Sequence, residues 1–343
     1  MTTSRVTQKE IAEATGLTQA TVSMALANHP KISQDTLQKV RSVAQSLGYR
    51  PDPFLTALSA YRRQSAPTRY QATLAWLVNE GENPHWRKSS TFRHYFEGAE
   101  RRAAQLGYRL EEHRLQCEGM TPQRLSQMLR ARNIPGILVA PQPDPGMSIQ
   151  FDFTHFSAVT FGYTLVNPAL HLATLHQFRS MTKLMDNLYH LGYKRPGLAL
   201  SDESDRRADF NWSAAFWSGQ RHWPVKERIS PFIPKPLTKE NFAKWFYKKR
   251  PDVVVTIWAW VRDWLIEMGE SIPESTGFAL LSVPDEEKVF SGIWENPQLI
   301  GERALEFLVD LIHRRECGVP DVPLSQLIDG TWVDGTTLRP MTS

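Results

Sequence analysis

Residues 18–28 read TQATVSMALAN. The run has the length of a short helix. Only Val22, Ala25 and Leu26 fall at the i, i+3, i+4 spacing of a buried stripe. The other positions carry short polar side chains together with Ala20 and Met24. A helix with so narrow an apolar stripe has a second face to offer to something outside its own bundle.

The flanks supply two partner helices. Thr7-Gln8-Lys9-Glu10 spells a capping box, in which a threonine hydroxyl and a glutamate three residues on satisfy each other's backbone amides. The first helix then runs through Ile11 and Ala14 to Gly16, and Thr18 caps the second. His29-Pro30 breaks the chain. Ser33 caps a third helix with Leu37, Val40, Ala44 and Leu47 on one face. Gly48 suits the position after its end, and Pro51 and Pro53 stop it. Helix, short turn, helix is the helix-turn-helix plan, whose second helix enters the major groove. On that plan Thr18, Thr21 and Ser23 can donate to phosphates and Gln19 can read a base edge. Ala20 or Met24 can touch a thymine methyl. The same three helices would also serve as a small bundle without any contact to DNA.

Charge placement agrees with a polyanion partner. Residues 1–63 hold eight Lys/Arg against four Asp/Glu. The remainder is balanced at 32 of each, so the formal net charge of +4 lies in the first fifth of the chain. A compact basic module is the electrostatic footprint of nucleic-acid binding, although a solvated basic surface would look the same.

VTQKEIAEATGLTQATVSMALANHPKISQDTLQKVRSVAQSLGYRPDPFLTAL, residues 6–58, resembles the amino-terminal domain of the LacI/GalR family of bacterial transcriptional regulators. The shared marks are V-T-x-x-E-I-A, the turn before A-T-V-S, the P-K-I-S cap and L-G-Y-R-P. The resemblance implies base contacts by Gln19, Ala20 and Met24. It places Thr7, Thr18, Thr21, Ser23, Ser33, Thr36 and Tyr49 where the family contacts or orients the DNA backbone. It further implies a hinge helix after Tyr49-Arg50-Pro51, with Leu58 as a wedge in the minor groove; the energy of unstacking one step is offset by the contacts a bent duplex permits. Two departures stand out. Met24 occupies a place where many members have a guanine-reading Arg, and Leu55 replaces a small residue of the hinge helix.

From about residue 70 the pattern changes to short β-rich runs alternating with amphipathic helices, the mark of parallel sheets. Strands are expected at 74–78, 136–141, 158–162, 197–200, 252–257 and 278–283. Helices are expected at 92–107, 179–191, 260–268 and 299–314. The rhythm of LYHLGYKRPGLAL and IGERALEFLVDLI also resembles the family, whose effector domain is built like a type I periplasmic binding protein. The implied fold is therefore multi-domain: an all-α three-helix unit, then an α/β effector region of two Rossmann-like subdomains. The expected divisions are 1–51 for the helix-turn-helix, 52–69 for hinge and linker, and 70–343 for the effector region. Within it, one subdomain would span about 70–171 and 293–328, and the other about 172–292 and 329–343.

Open α/β sheets bind ligand beyond the carboxyl ends of their strands. The loops at those ends put forward Asn79, Trp86, Gln142, Tyr163, Arg206, Arg207, Trp258, Asp285 and Trp294 as ligand-binding candidates. Aromatic faces suit the apolar side of a sugar ring, with charged residues as anchors. Eleven tryptophans must pack somewhere, however, and core positions compete for each of them. Near residues 258 and 284 the chain lacks Asp/Asn pairs common in the family. A sugar is then one candidate class of effector beside an aromatic-rich or acidic ligand.

The sequence has no Walker loop, no GxGxxG after a strand, no GxSxG and no HExxH, so no catalytic residue, cofactor or metal is expected. Cys117 and Cys317 have no CxxC spacing and read as ordinary packing or surface residues. There is no apolar run of about 18 residues to span a membrane, and no signal-peptide core, so a cytoplasmic address is expected. The expected partners are double-stranded operator DNA, a small-molecule effector and a second copy of the chain in a homodimer. The expected function is a regulator, a repressor in the first place. Alternatives are an activator, a ligand-binding protein that has lost its DNA role, and an enzyme on the same scaffold.

Overall fold

The computed structural model describes residues 7–26, 32–47, 49, 72–80, 84–284 and 289–339. The chain divides into two units, Met1–Thr68 and Arg69–Ser343.

The first unit holds three helices, α1 (Gln8–Thr15), α2 (Gln19–Leu26) and α3 (Gln34–Ser46). The capping box at Thr7 and Glu10 forms in full, and Gly16 takes the left-handed conformation that ends α1. Thr18 Oγ1 accepts from the Thr21 amide at 3.1 Å, and Ser33 Oγ from the Thr36 amide at 3.4 Å. The core is small: Ile11, Ala12, Val22, Ala25, Val40 and Ala44, edged by Leu17, Leu26, Ile32, Val43 and Tyr49. Leu47, expected on the buried face of α3, is exposed. It lies just past the end of the helix, as the C-cap, where the helical spacing no longer dictates direction. Gly48, Pro51 and the expected hinge with Leu55 and Leu58 lie outside the described residues.

The second unit contains two sheets. The first comprises β1 (Ala72–Val78), β2 (Tyr108–Arg114), β3 (Gly136–Val139), β5 (Ser157–Phe161), β7 (His171–Leu175) and β12 (Ser325–Ile328). All are parallel, in the order β12-β7-β5-β3-β1-β2. β4 (Met147–Ser148) and β6 (Leu165–Asn167) form a separate two-stranded ribbon. The second sheet comprises β8 (Pro196–Leu198), β9 (Val253–Thr256), β10 (Gly277–Leu280), β11 (Ser291–Trp294) and β13 (Thr331–Val333), in the order β13-β11-β10-β9-β8. Only β13 runs antiparallel to its neighbour. Central strands such as β3 and β9 are buried along their whole length, which explains their unbroken runs GILV and VVVT.

Around the first sheet lie α4 (His85–Lys88), α5 (Ser90–Gln105) and α6 (Pro122–Ala131). The second lobe carries α7 (Gln177–His190), α8 (Asp202–Arg207), α9 (Asn211–Gly219), α10 (Lys239–Lys249) and α11 (Val261–Glu267). The long α12 (Pro297–Arg314) returns to the first lobe and packs on α5. Those two helices approach backbone to backbone. A methyl group on Gly98 would collide with the Gln298 carbonyl, and one on Gly301 with the Tyr95 carbonyl.

The chain passes between lobes three times: after Leu175, between Trp294 and Pro297, and between Ile328 and Thr331. The first two passages differ from the expected division at 171/172 and 292/293. β7 stays whole in the first sheet, paired with β5 and β12, and β11 stays whole in the second, where Ser291 and Gly292 pair with β10 and Gly292 to Trp294 with β13. The passages are tied side by side. The His176 amide donates to the Ile328 carbonyl at 2.7 Å, Lys183 Nζ to the Gly330 carbonyl at 2.6 Å, and Asn296 Nδ2 to Thr331 Oγ1 at 3.0 Å.

Candidate functional site

Two surfaces carry chemistry. On α2, burial of Val22 and Ala25 turns Thr18, Gln19, Ala20 and Ser23 outward, all exposed, with Thr21 and Met24 half-buried. The hydroxyls of Thr18 and Thr21 lie 2.8 Å apart at the amino end of the helix. Thr7 and Ser33 are exposed caps of α1 and α3, and Thr36 is half-buried. Tyr49 packs at the core edge, with its hydroxyl accepting from Gln8 Nε2 at 3.2 Å. The sequence expected these groups to work together, and they belong to one small unit.

The second surface is a cleft of about 780 Å³ between the lobes of the second unit. From the first lobe come the amino end of α5, with Phe92 and Tyr95, and the carboxyl ends of β5 and β7, with Phe161, Thr164, Thr174 and Gln177. From the second come Glu203 and Arg207 of α8, Trp212, Trp258, Ser282 and Pro284, and at the passage into α12, Trp294 and Glu295. Six aromatic rings stand among hydroxyl and charged side chains, a mixture that suits a small-molecule site.

Arg207 joins the lobes. Its guanidinium donates to the Gln142 carbonyl at 2.9 Å and to the Pro143 carbonyl, both on the loop after β3. It also lies over the Phe92 ring, 5.5 Å from the centroid. Burial lowers its pKa from the ordinary arginine value. Glu295 is half-buried as a residue, with its carboxyl group as the buried part. Burial pushes its pKa up to about 7, opposed by a hydrogen bond with Ser282. Burial raises the Tyr95 hydroxyl as well, with the charge of Glu295 adding and that of Arg207 opposing.

Of the sequence-named ligand candidates, Arg207, Trp258 and Trp294 line this cleft. Arg206 faces an adjoining cavity of about 590 Å³ instead. Trp86 is a correction: it is buried in the first lobe's core, its ring 5.5 Å from Trp76 and 5.0 Å from Phe96. The short helix α4 turns it inward. Gln142 is also buried. Its side chain accepts from Asn79 Nδ2 at 3.1 Å and donates to the Ala140 carbonyl at 2.7 Å, so Asn79 and Gln142 brace the strand ends instead of lining the cleft. Tyr163 is half-buried outside the cleft wall, and Asp285 lies outside the described residues.

Sequence reasoning missed Phe92, Tyr95, Gln177 and Glu295. Phe92 and Tyr95 stand on a helix whose pattern reads as core. Glu295 directly follows Trp294, so the strand-end rule that named Trp294 would have reached it one residue later.

The chain thus comprises a three-helix unit whose second helix exposes Gln19, Ala20 and Ser23, and a two-lobed α/β unit with a cleft between its lobes. Residues 7–52 match the model of bacterial regulatory proteins of the lacI family. The chain is 26% identical over 224 residues to the HTH-type transcriptional regulator PtxS of Pseudomonas plecoglossicida. The match covers 63% of this chain and 62% of the relative, so the chain spans less than two thirds of that relative's length. The fold is similar to that of the lac repressor dimer bound to operator and the anti-inducer ONPF. There the TM-score is 0.54 at 14% identity, covering 97% of this chain and 99% of the other. It is also similar to a periplasmic binding protein/LacI transcriptional regulator from Alkaliphilus metalliredigens complexed with D-xylulofuranose. For that pair the TM-score is 0.56 at 14% identity, covering 78% and 98%. Among the described residues no helix is long and apolar enough to cross a membrane.

Proposed function

We propose that this chain is a cytoplasmic, sequence-specific transcriptional regulator that represses from a near-palindromic operator as a homodimer, without enzymatic activity. The observation that carries the reading is the lacI-family unit at residues 7–52, with the exposed face of α2 offering Gln19 and Ala20 to base edges. A single helix-turn-helix gives a small interface, and two related by a two-fold axis read a site with matching symmetry. The effector is a small molecule in the cleft, and a sugar fits its aromatic walls. The regulator-fold protein that holds D-xylulofuranose supports that reading. Three passages, side-chain bonds such as that of Arg207 and a shared apolar cluster join the lobes, and a ligand touching both favours one lobe arrangement. Operator affinity then shifts by the ligand's differential affinity for the two arrangements. The hinge and its wedge Leu58 are part of the proposal and lie outside the described residues.

The test is selection of random duplexes by the full chain at near-physiological salt, read by sequencing. An enriched palindrome is the expected result. Salt-sensitive binding without enrichment would overturn it. The same selection with Met24→Arg should add a guanine preference at one symmetric pair of positions, since arginine donates to guanine and methionine does not.

A further inference from the structure

We infer that the cleft continues into a second subsite, in which one neutral sugar ring of a di- or oligosaccharide lies on the face of Trp260. The inference rests on the reading of the cleft as the effector site. It adds the size and class of what binds there.

The adjoining cavity of about 590 Å³ shares Trp258 and Glu203 with the main cleft, so the two spaces meet at a common wall. Its own walls come from both lobes: Asp144 and Pro145 on one side, α8 and the 234–237 segment on the other. Trp260 stacks on Trp258, with centroids 5.6 Å apart and planes at 24°, and touches Trp264 at 4.6 Å. Held from two sides, Trp260 is nonetheless 40% exposed as a residue. An aromatic surface already fixed in place loses little freedom when something binds to it.

The rim selects the occupant. Asp144, Asp202 and Glu203 face Arg206 and Lys235 around the same space. Carboxylates accept from hydroxyl pairs, and cations donate to hydroxyl oxygens. A sugar ring meets both needs, with its C–H face on the indole and its hydroxyls at the rim. A purely apolar ring would strip water from these groups without replacing it. Three carboxylates against two cations disfavour an acidic or phosphorylated ring. The main cleft, at about 780 Å³, holds a whole ligand by itself, so a one-ring ligand never reaches Trp260. A longer one does, and its second ring sits beside the Arg207 bond to Gln142 and Pro143, where it adds a second link between the lobes.

The experiment is isothermal titration of the full chain with glucose, galactose and xylose and with di- and trisaccharides built from them. It is repeated with Trp260→Ala and Trp260→Phe. We expect a di- or trisaccharide to bind at least tenfold tighter than its parent monosaccharide. Trp260→Ala should remove that advantage and leave the monosaccharide unchanged, and Trp260→Phe should restore most of it. Equal affinity for a monosaccharide and its oligomers overturns the subsite, as does an equal loss on both in Trp260→Ala. Absence of binding by every sugar overturns the ligand class. Operator selection run in parallel separates the two readings: a palindrome obtained without sugar binding leaves the regulator standing and removes only the subsite.

Discussion

The two units solve the problem of recognition in opposite ways. In the first, the described core is a cluster of six small or medium side chains with Leu37 also buried, and Gln19, Ala20 and Ser23 of α2 are exposed. In the second, the chemistry is enclosed. Phe92, Tyr95, Trp258 and Trp294 line a cleft whose only strongly perturbed carboxyl among the described residues, that of Glu295, is buried. A reader of a rigid polyanion needs donors that reach outward from a minimal scaffold. A small-molecule site needs walls, and here two lobes that share an apolar cluster supply them. The difference teaches where each unit is vulnerable: the first in its few core contacts, the second in the state of a few buried polar groups.

The largest effect should come from breaking the smaller core. Val22 is fully buried between α1, α2 and α3, and an aspartate there would be an unpaired buried charge. Val22→Asp should cost about 4 kcal/mol or more, a large share of what a unit of this size can have. Calorimetry should show the transition of the first unit lost, with that of the second in place, and duplex selection should give no enrichment. If both transitions move together, the units are not energetically separate and the comparison fails.

A smaller effect tests the enclosed site. In the folded chain Glu295 keeps its proton up to about pH 7, whereas unfolded it releases it near the ordinary glutamate value of 4.5. Between those values the native state binds more protons, so stability falls as pH rises through this window and levels off above it. The difference corresponds to about 3 kcal/mol. Glu295→Gln should therefore match the parent near pH 4.5 and exceed its stability by up to about 3 kcal/mol at pH 8. Urea unfolding across that range is the check, and a difference that does not change with pH would show that the carboxyl is not buried as described.

The smallest effect sharpens the contrast at the helix ends. Glu10 Oε2 accepts from the Thr7 amide at 2.6 Å, and Thr7 Oγ1 from the Glu10 amide at 3.4 Å. The carboxyl of Glu10 is held below its ordinary pKa by the Thr7 hydrogen bonds. Thr7→Ala should lower the stability of the first unit by about 1 kcal/mol and leave the melting of the second unchanged. An unchanged urea midpoint for the first unit would show that the cap contributes nothing to it.

Legibility followed the range of the forces involved. Caps at Thr7, Thr18 and Ser33 and the left-handed Gly16 are local, decided within three or four residues, and a single chain displays them. β1, β3, β5, β8, β9 and β10 and the helices α5, α7, α11 and α12 were visible, with ends shifted by a few residues, whereas β2, β7, α6, α9 and α10 were not. Strands such as β11, β12 and β13 were not visible either, since SGIW, SQLI and TWV lack the unbroken apolar run that displays β3 and β9. The strand-end rule located the cleft, but it could not say which side chains at those ends turn inward. Trp86 and Trp258 both follow sheet strands. One is claimed by Trp76 and Phe96 in a core, and the other remains on a wall.

By itself, then, the amino-acid sequence determined the three-helix unit, the exposed polar face of α2, the excess of positive charge in the first fifth of the chain and the alternation of the α/β region. All of these follow from near-neighbour chemistry and periodicity. Only the tertiary structure decided the partition of strands between lobes, the cross-lobe bond of Arg207, the burial of Glu295 and the pairing of Trp258 with Trp260. Each of these depends on residues tens of positions apart being brought together, and burial, which sets both aromatic packing and the protonation of a carboxyl group, is a property of the assembled neighbourhood and not of any segment of the chain.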